Sequence, residues 1–391
     1  LRLRTLSHTR MVIDPTSALP ALSLPTLDLT HLDPEAAQQS MVDSFQNLSQ
    51  DLDPQQPGGI MTARWVLRPQ APTLLLLVIH HFAIDGVSWR ILMEDLATCT
   101  LTPGAVLPAR TMSLRAWTES LAQQGTEGTR RGEQALWLSQ LQGAQALPCD
   151  HTILPEENTL GSSAHVGGQL SQADTQRLLR APAVYHGAIN DVLLTALGMA
   201  LTQWSRERYQ HTLGDPLVAL EGHGRETDED LTRTLGWLTS LFPLRLRLGQ
   251  LDWSTPEAPG YALRQIKEDL RALPDKGIGY GVLRHFDPHS KQLFDEYPQP
   301  QIVLNYLGQF NEENKKDNPN NSDQQIESWM FDQGGLTACQ DDDKRQRMQL
   351  LDINAMIDPE GCLRFGLAYC KHAHDEQSAL ALANAFTQSL I

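Results

Sequence analysis

Residues 80–86 of the chain read HHFAIDG and directly follow the apolar run LLLLVI at 74–79. That run has the length of a buried β-strand, so it predicts a strand with two histidines at its end. Adjacent strand residues point to opposite faces, so His80 and His81 cannot easily share one metal ion. One histidine is therefore expected to be structural and the other to face a cavity, where an imidazole can move a proton.

A second polar group stands at residues 221–226, which read EGHGRE and follow the predicted strand 217–221. A carboxylate at a strand end beside glycines is exposed, and the backbone there can approach a ligand closely. Taken alone, Glu221 is better explained by a surface ion pair with Arg225 than by a functional role. The residues by themselves leave both interpretations open.

Segments in which apolar residues recur every second residue alternate with segments in which they recur every 3.6 residues. This pattern predicts strands mixed with helices, and hence a mixed α/β or α+β fold. A strand is expected from Met61 to Leu67 and a C-terminal helix from about Glu376 to Leu390. Ser88 is expected to cap a helix from Trp89 to Thr98. The Gly-rich stretch 277–281 is expected to be a loop, and the polar stretch 311–325 a mobile insertion. The Pro-, Gly- and Ser-rich residues 143–165 predict a boundary between a lobe at 1–150 and a lobe at 151–391.

Composition excludes several classes of function. The 391 residues carry a net charge of −16, which disfavours nucleic acid as a partner. The five cysteines form no Cys-x-x-Cys pair, so neither a disulfide framework nor a zinc site is expected, and a reducing cytoplasm fits. A metal cluster of Cys370, His372 and His374 is less plausible than a strand end followed by a polar turn.

Membrane insertion and secretion are not expected either. The longest apolar run, 74–79, is far too short to span a bilayer. The chain begins with Leu1 and has no secretory leader pattern, so it is expected to be a piece of a longer protein.

The pattern His-His-x-x-x-Asp-Gly at 80–86 resembles the signature of the chloramphenicol acetyltransferase-like superfamily, which includes condensation and epimerization domains of nonribosomal peptide synthetases. Further stretches, in family order, are similar to the epimerization branch. They are GVSWR at 86–90, INDVLLTAL at 189–197, EGHGRE at 221–226, RTLGWLTS at 233–240, KGIGYG at 276–281 and NYLGQ at 305–309. Three features depart from the family: Leu238 replaces a frequent Phe, the insertion after Gln309 is long, and the chain is expected to start after the family's first strand–helix segment.

The resemblance implies two chloramphenicol acetyltransferase-like lobes in a V-shaped pseudo-dimer with a central tunnel. It also implies that His81 and Glu221 flank the α-carbon of an aminoacyl or peptidyl thioester and interconvert its L and D forms. The supporting residues that it implies are His80, Asp85, Gly86, His223, Asn305 and Tyr306.

No bound cofactor or metal is implied by the resemblance. A carrier protein domain of the same synthetase would supply the phosphopantetheine arm, and a downstream condensation domain is a further implied partner. Two alternatives remain: a condensation domain that forms peptide bonds, and a non-catalytic module that docks a carrier protein.

Overall fold

The computed structural model describes residues 1–7, 10–20, 24–309 and 343–391. The expected mobile insertion at 311–325 lies outside these residues. The described chain divides into two compact units. The first consists of Leu1–Thr118 and Asp228–Leu238, and the second of Glu119–Thr227, 239–309 and 343–391.

The first unit contains two small sheets and one helix packed on the larger of them. Its elements are β1 (Leu3–Ser7), β2 (Arg10–Ile13), β3 (Thr26–Asp28), α1 (Pro34–Gln50), β4 (Met61–Leu67), β5 (Leu74–Ile79) and α2 (Gly86–Leu101), and α3 (Leu114–Glu127) begins in it. β1 pairs antiparallel with β2, and β4 joins parallel β3 to antiparallel β5. Met41 and Leu48 of α1 pack with Val66, Leu76 and Val78 because these strand residues alternate toward the helix.

The second unit is built on a six-stranded sheet with the order β6-β11-β10-β9-β7-β8. The strands are β6 (Ser163–Gln169), β7 (Leu217–Gly222), β8 (Ser240–Arg245), β9 (Ile302–Gln309), β10 (Leu351–Ile357) and β11 (Leu363–Cys370). β9 runs parallel to both β7 and β10, and the remaining neighbours are antiparallel. The carboxyl ends of β7, β9 and β10 therefore meet at one edge of the sheet.

Helices cover one face of this sheet. The helices of this unit are α4 (Gln134–Leu141), α5 (Gln172–Val184), α6 (Ile189–Tyr209), α7 (Ala258–Arg271), α8 (Ile278–Phe286), α9 (Pro288–Phe294) and α10 (Glu376–Leu390). α6 is buried along most of its length and packs against α10, where Trp204 Nε1 donates to the Ser378 carbonyl at 3.0 Å. Leu220, Leu304 and Ile353 point into the same core. One face of the sheet is thereby fixed as the buried face.

The boundary expected near residue 150 differs from the observed division. Trp137, Leu141 and Leu147 are buried in the core of the second unit, so α4 and the residues after it belong there. Residues 228–238 group with the first unit instead. The Pro- and Gly-rich composition of 143–165 therefore marks irregular backbone that packs on a core, and not a linker.

Several local predictions are confirmed and others are wrong. β4 and α10 begin and end at the predicted residues, and Cys370 ends β11 as expected. The helix expected from Trp89 begins earlier, at Gly86, because Asp85 rather than Ser88 caps it. In the stretch 277–281, expected to be a loop, residues 278–281 form the start of α8, and Gly277 before them lies in the left-handed region at φ +85°. β8 and α9 were not predicted.

No single helix in the described ranges is long and apolar enough to cross a membrane. The bent pair of α5 and α6, with 108° between the helices, passes the same test only by length and composition. Most of α6 is buried in the core of the second unit, which accounts for its apolar sequence.

Candidate active site

The two histidines lie just beyond the end of β5, which ends at Ile79. His80 is extended and precedes a 3₁₀ turn, His81–Ala83, and its Nδ1 accepts a hydrogen bond from the Phe82 N–H at 3.2 Å. His81 is exposed. The two histidines differ in exposure, and the cause is the turn, because neither residue belongs to the strand.

Asp85 is 4% exposed and fixes the backbone that follows the histidines. Its Oδ1 accepts from the Ser88 N–H at 2.8 Å, which caps α2. Its Oδ2 accepts from the Leu238 N–H at 3.1 Å. These two contacts lock the turn that follows the histidines. Gly86 opens α2, and an added Cβ there meets no described atom within 4 Å.

The segment 236–238 lies against the histidine motif and introduces a residue that the sequence analysis missed. Ser88 Oγ donates to the Gly236 carbonyl at 2.9 Å and accepts from the Gly236 N–H at 3.1 Å. Trp237 then places its ring 4.4 Å from that of His81, centroid to centroid. The tryptophan shields one side of the imidazole. The only sequence signal for Trp237 was its place in the family-like stretch RTLGWLTS, because its contact with His81 joins residues far apart in the chain.

In the second unit, Glu221 lies near the carboxyl end of β7 and is exposed, whereas Leu220 before it is in the core. The parallel register pairs Leu220 with Leu304 of β9, so Glu221 and Asn305 are the next residues on the two strands. Because alternate residues share a face, Glu221 and Asn305 both lie on the face opposite to the core. The structure brings these two predicted residues together.

His223 and Tyr306 occupy different environments. His223 is exposed, and its Nε2 lies 3.0 Å from Oε1 of Glu226, a carboxylate that the sequence analysis did not single out. Arg225 donates through Nη1 to the His223 carbonyl at 2.9 Å. Tyr306, one residue after Asn305, packs partly against the core. Burial raises the pKa of the Tyr306 phenol, which keeps it protonated near neutral pH.

The turn at 275–277, where the glycine-rich stretch begins, contacts the strand end that carries Glu221. Ser240 Oγ donates to the Lys276 carbonyl at 3.0 Å. A Cβ at Gly222 would approach that Lys276 oxygen to 2.9 Å, so glycine is required for this close approach. Asp275 and Lys276 both have left-handed φ values, 45° and 46°. This conformation is costly for residues other than glycine and places the turn beside the end of β7.

Within the described residues, no group of three or more His, Cys, Asp and Glu side chains could hold a metal ion. The first unit presents the imidazole of His81, and the second presents the carboxylates of Glu221 and Glu226, the imidazole of His223 and the carboxamide of Asn305. Such groups can remove and return protons and can donate hydrogen bonds to a developing oxyanion.

A family model described as the condensation domain matches residues 1–391. The chain belongs to the condensation domain family. This condensation-family domain is 37% identical over 333 residues to a linear gramicidin synthase of Brevibacillus parabrevis, and the match covers 81% of the chain and 4% of that relative. Chondramide synthase cmdD of Chondromyces crocatus is 33% identical over 391 residues, covering 94% of the chain and 9% of the relative. The domain thus spans less than a tenth of either relative.

Solved structures place the domain's fold in the same family. The epimerization domain from the third module of tyrocidine synthetase B is 27% identical, with a TM-score of 0.78, and the match covers all of this chain and 83% of that one. The condensation enzyme VibH shares the fold at 15% identity and a TM-score of 0.65, covering 100% of this chain and 83% of that one. The mixed α/β class and the resemblance found in the motifs are confirmed.

Proposed function

We propose that this domain epimerizes the α-carbon of an aminoacyl or peptidyl thioester held on a carrier protein. The observation that carries the proposal is the exposed Glu221 beside Asn305 at the carboxyl ends of two parallel strands. Similarity to an epimerization domain along the whole chain, at 27% identity, supports the same reaction. The exposed His81 supplies a second proton-transfer group.

Inversion needs one group to take the α-proton and another to return a proton to the opposite face. The electron pair left by the first proton moves onto the thioester oxygen as an enolate, and it returns to carbon when the second proton arrives. His81 and Glu221 are the two groups in this proposal. An enolate oxygen is stabilised by fixed hydrogen-bond donors. Asn305 and His223, whose imidazole is paired with Glu226, are the candidate donors.

The partner in this proposal is a carrier protein domain of the same synthetase. Its phosphopantetheine arm carries the thioester, so the domain itself needs no bound organic cofactor. A condensation domain that accepts the inverted product follows as a second proposed partner, and the cytoplasm is the proposed compartment. The long synthetases among the relatives support this multidomain setting.

The Glu221→Gln variant tests the two-group mechanism. The amide keeps the shape and hydrogen bonding of the side chain but cannot exchange a proton. Loss of a positioned acid–base group typically lowers a rate by ~10²–10⁴. Chiral analysis of product released from a loaded carrier protein should therefore show inversion collapsing from both the L and the D substrate.

A deuterium experiment extends this test. Exchange of the α-proton with deuterated solvent should persist from one enantiomer, because removal and return on one face needs only the remaining group. The exposed Glu207→Gln on α6 is the matched control and should invert normally. Inversion by Glu221→Gln at the control rate would refute the two-group mechanism.

Two alternative functions give different results in the same assay. The family description and the synthetase relatives also fit peptide-bond formation. A condensation domain would join two carrier-bound substrates and leave the α-carbon configuration unchanged. A non-catalytic docking module would bind the carrier protein equally well after replacement of His81 or Glu221.

A further inference from the structure

The residues around Trp237 are held firmly on the first unit, while Trp237 itself is half uncovered. Thr234 and Leu238 are buried, and Thr234 Oγ1 donates to the Met112 carbonyl at 2.7 Å. The residues directly before and after Trp237 are hydrogen-bonded to the start of α2 and to its cap. Trp237 is nevertheless 47% exposed. The backbone therefore fixes the position of a large apolar ring that remains in contact with water.

This ring and a neighbouring phenyl ring border the imidazole of His81. The Trp237 ring lies 4.4 Å from that of His81 and 6.1 Å from that of Phe82, centroid to centroid. It is nearly parallel to the Phe82 ring, with 21° between the planes. Phe82 is half-buried. We call the surface formed by Trp237 and Phe82 the aromatic wall.

An aromatic surface beside a proton-transfer group has the composition of a ligand site. In such sites apolar and aromatic side chains surround the ligand, and a few polar groups fix or act on it. Leaving half of an indole in water is unfavourable compared with burying it. The hydrogen bonds on either side of Trp237 hold the ring in this exposed position. A substrate that covers the indole would therefore gain binding free energy.

The part of the substrate that lies nearest to this wall is the side chain on the reacting carbon. In a reactive complex that α-carbon lies about 3–3.5 Å from a nitrogen of the His81 ring. The indole lies against the same imidazole. Aromatic pairs interact with their centroids about 4.5–7 Å apart, so an aromatic side chain on the α-carbon can reach the indole. The methyl group of alanine offers little surface for the same contact.

We propose that Trp237 is a specificity-determining residue, which contacts the side chain of the residue being inverted and selects aromatic and large aliphatic side chains. The proposal rests on the proposed function and names its substrate class. Acidic side chains are disfavoured, because the face of an aromatic ring carries partial negative charge. They would also lose water at the aromatic wall without gaining a paired charge.

The test compares phenylalanyl, leucyl, alanyl and glutamyl thioesters on one carrier protein, with kcat/KM for inversion as the readout. The wild-type domain should favour the phenylalanyl and leucyl substrates. Trp237→Ala should lower the ratio of phenylalanyl to alanyl kcat/KM by roughly threefold to tenfold, the usual worth of an aromatic pair. Trp237→Phe should keep most of that ratio. Any loss that comes only from a disturbed His81 ring affects all substrates alike and cancels in the ratio.

The matched control is Tyr261→Ala on α7, an aromatic side chain that is 57% exposed, and it should leave the ratio unchanged. An equal loss for all four thioesters in Trp237→Ala would mean that the indole contacts the shared pantetheine arm or only positions His81, and would refute the proposal. A wild-type preference for alanyl, glutamyl or lysyl thioesters over phenylalanyl would refute it as well.

A binding measurement separates this proposal from the proposed function. Inert amide analogues of phenylalanyl- and alanyl-pantetheine report affinity without any proton transfer. A change in tryptophan fluorescence on binding that is present in the wild type and absent from Trp237→Phe would locate the ligand at this ring. If the phenylalanyl analogue binds more tightly and Trp237→Ala removes that advantage, the specificity site stands even where inversion is absent. Equal affinity of the two analogues overturns it even where inversion is present.

Discussion

At the scale of single residues, adjacent histidines have different surroundings. His80 uses Nδ1 to accept the Phe82 N–H, so its ring is part of the turn. His81 is exposed on one side and contacts the ring of Trp237 on the other. The contact restricts the orientation of the His81 ring, and it is a ring–ring contact and not a capping hydrogen bond like that of His80. His81 therefore keeps an exposed imidazole, whereas the ring of His80 takes part in the turn.

We expect His81→Ala to abolish inversion while leaving the unfolding midpoint close to that of the wild type. His80→Ala should lower the midpoint, because the turn loses a hydrogen bond worth ~1 kcal/mol. Urea denaturation and chiral product analysis on the same preparations separate the two effects. Full inversion by a folded His81→Ala protein would exclude the imidazole from the reaction.

At the scale of elements, the start of α2 organises the residues around His81. Asp85 makes the N-terminal cap of α2 and also holds the Leu238 N–H, so one carboxylate joins the helix to the segment that carries Trp237. The sequence suggested Ser88 as the cap. Ser88 instead hydrogen-bonds to Gly236. Asp85 and Ser88 therefore both hold the segment 236–238.

Asp85→Ala should lower the free energy of unfolding by roughly 2 kcal/mol, from loss of the cap and of the bond to Leu238. Asp33→Ala is the matched control, because Asp33 caps α1 through the Ala36 N–H alone. Its cost should be about 1 kcal/mol. Equal losses in the two variants, measured by urea denaturation, would show that the bond to Leu238 contributes nothing.

At the scale of the whole molecule, buried ionizable groups make the stability of the second unit depend on pH. His374 is 2% exposed, just before α10, and its Nδ1 lies 3.9 Å from Asp150 Oδ2. Its Nε2 lies 4.0 Å from Cys149 Sγ, and Asp375 and His151 are the other charged neighbours. Burial lowers the pKa of His374 to about 4, because the surrounding apolar side chains disfavour the charged ring.

The sign of the pH effect follows from that pKa. As the pH falls below ~6.5, the unfolded chain protonates this histidine while the folded protein does not, so stability is lost until about pH 4. Between pH 7 and pH 5 the loss from this residue should be roughly 2 kcal/mol. Denaturation of His374→Gln should show a smaller loss over that range, while the exposed His372→Gln should match the wild type. A wild-type slope in His374→Gln would contradict the assignment.

The sequence by itself determined the elements whose signal is local. The positions of β4, β5 and α10 could be predicted, because each pattern is formed by residues that are close in sequence. β4 alternates, β5 is an apolar run, and α10 has an amphipathic period. The motifs likewise indicated the family, together with His81, Glu221 and Asn305 as candidates. The start of α8 was missed because glycines favour a loop locally, whereas Tyr280 and Leu283 are buried in the core of the second unit.

Only the tertiary structure decided which residues meet. The ring of Trp237 lies on His81, the Leu238 N–H bonds to Asp85, and Asn354 stands beside Asn305. The first two contacts join segments about 150 residues apart, and the third depends on the register of two strands. Periodicity shows which face a residue occupies within its own element, but not which element lies beside it. The pairing of strands and the packing of segment 236–238 on α2 supply that information.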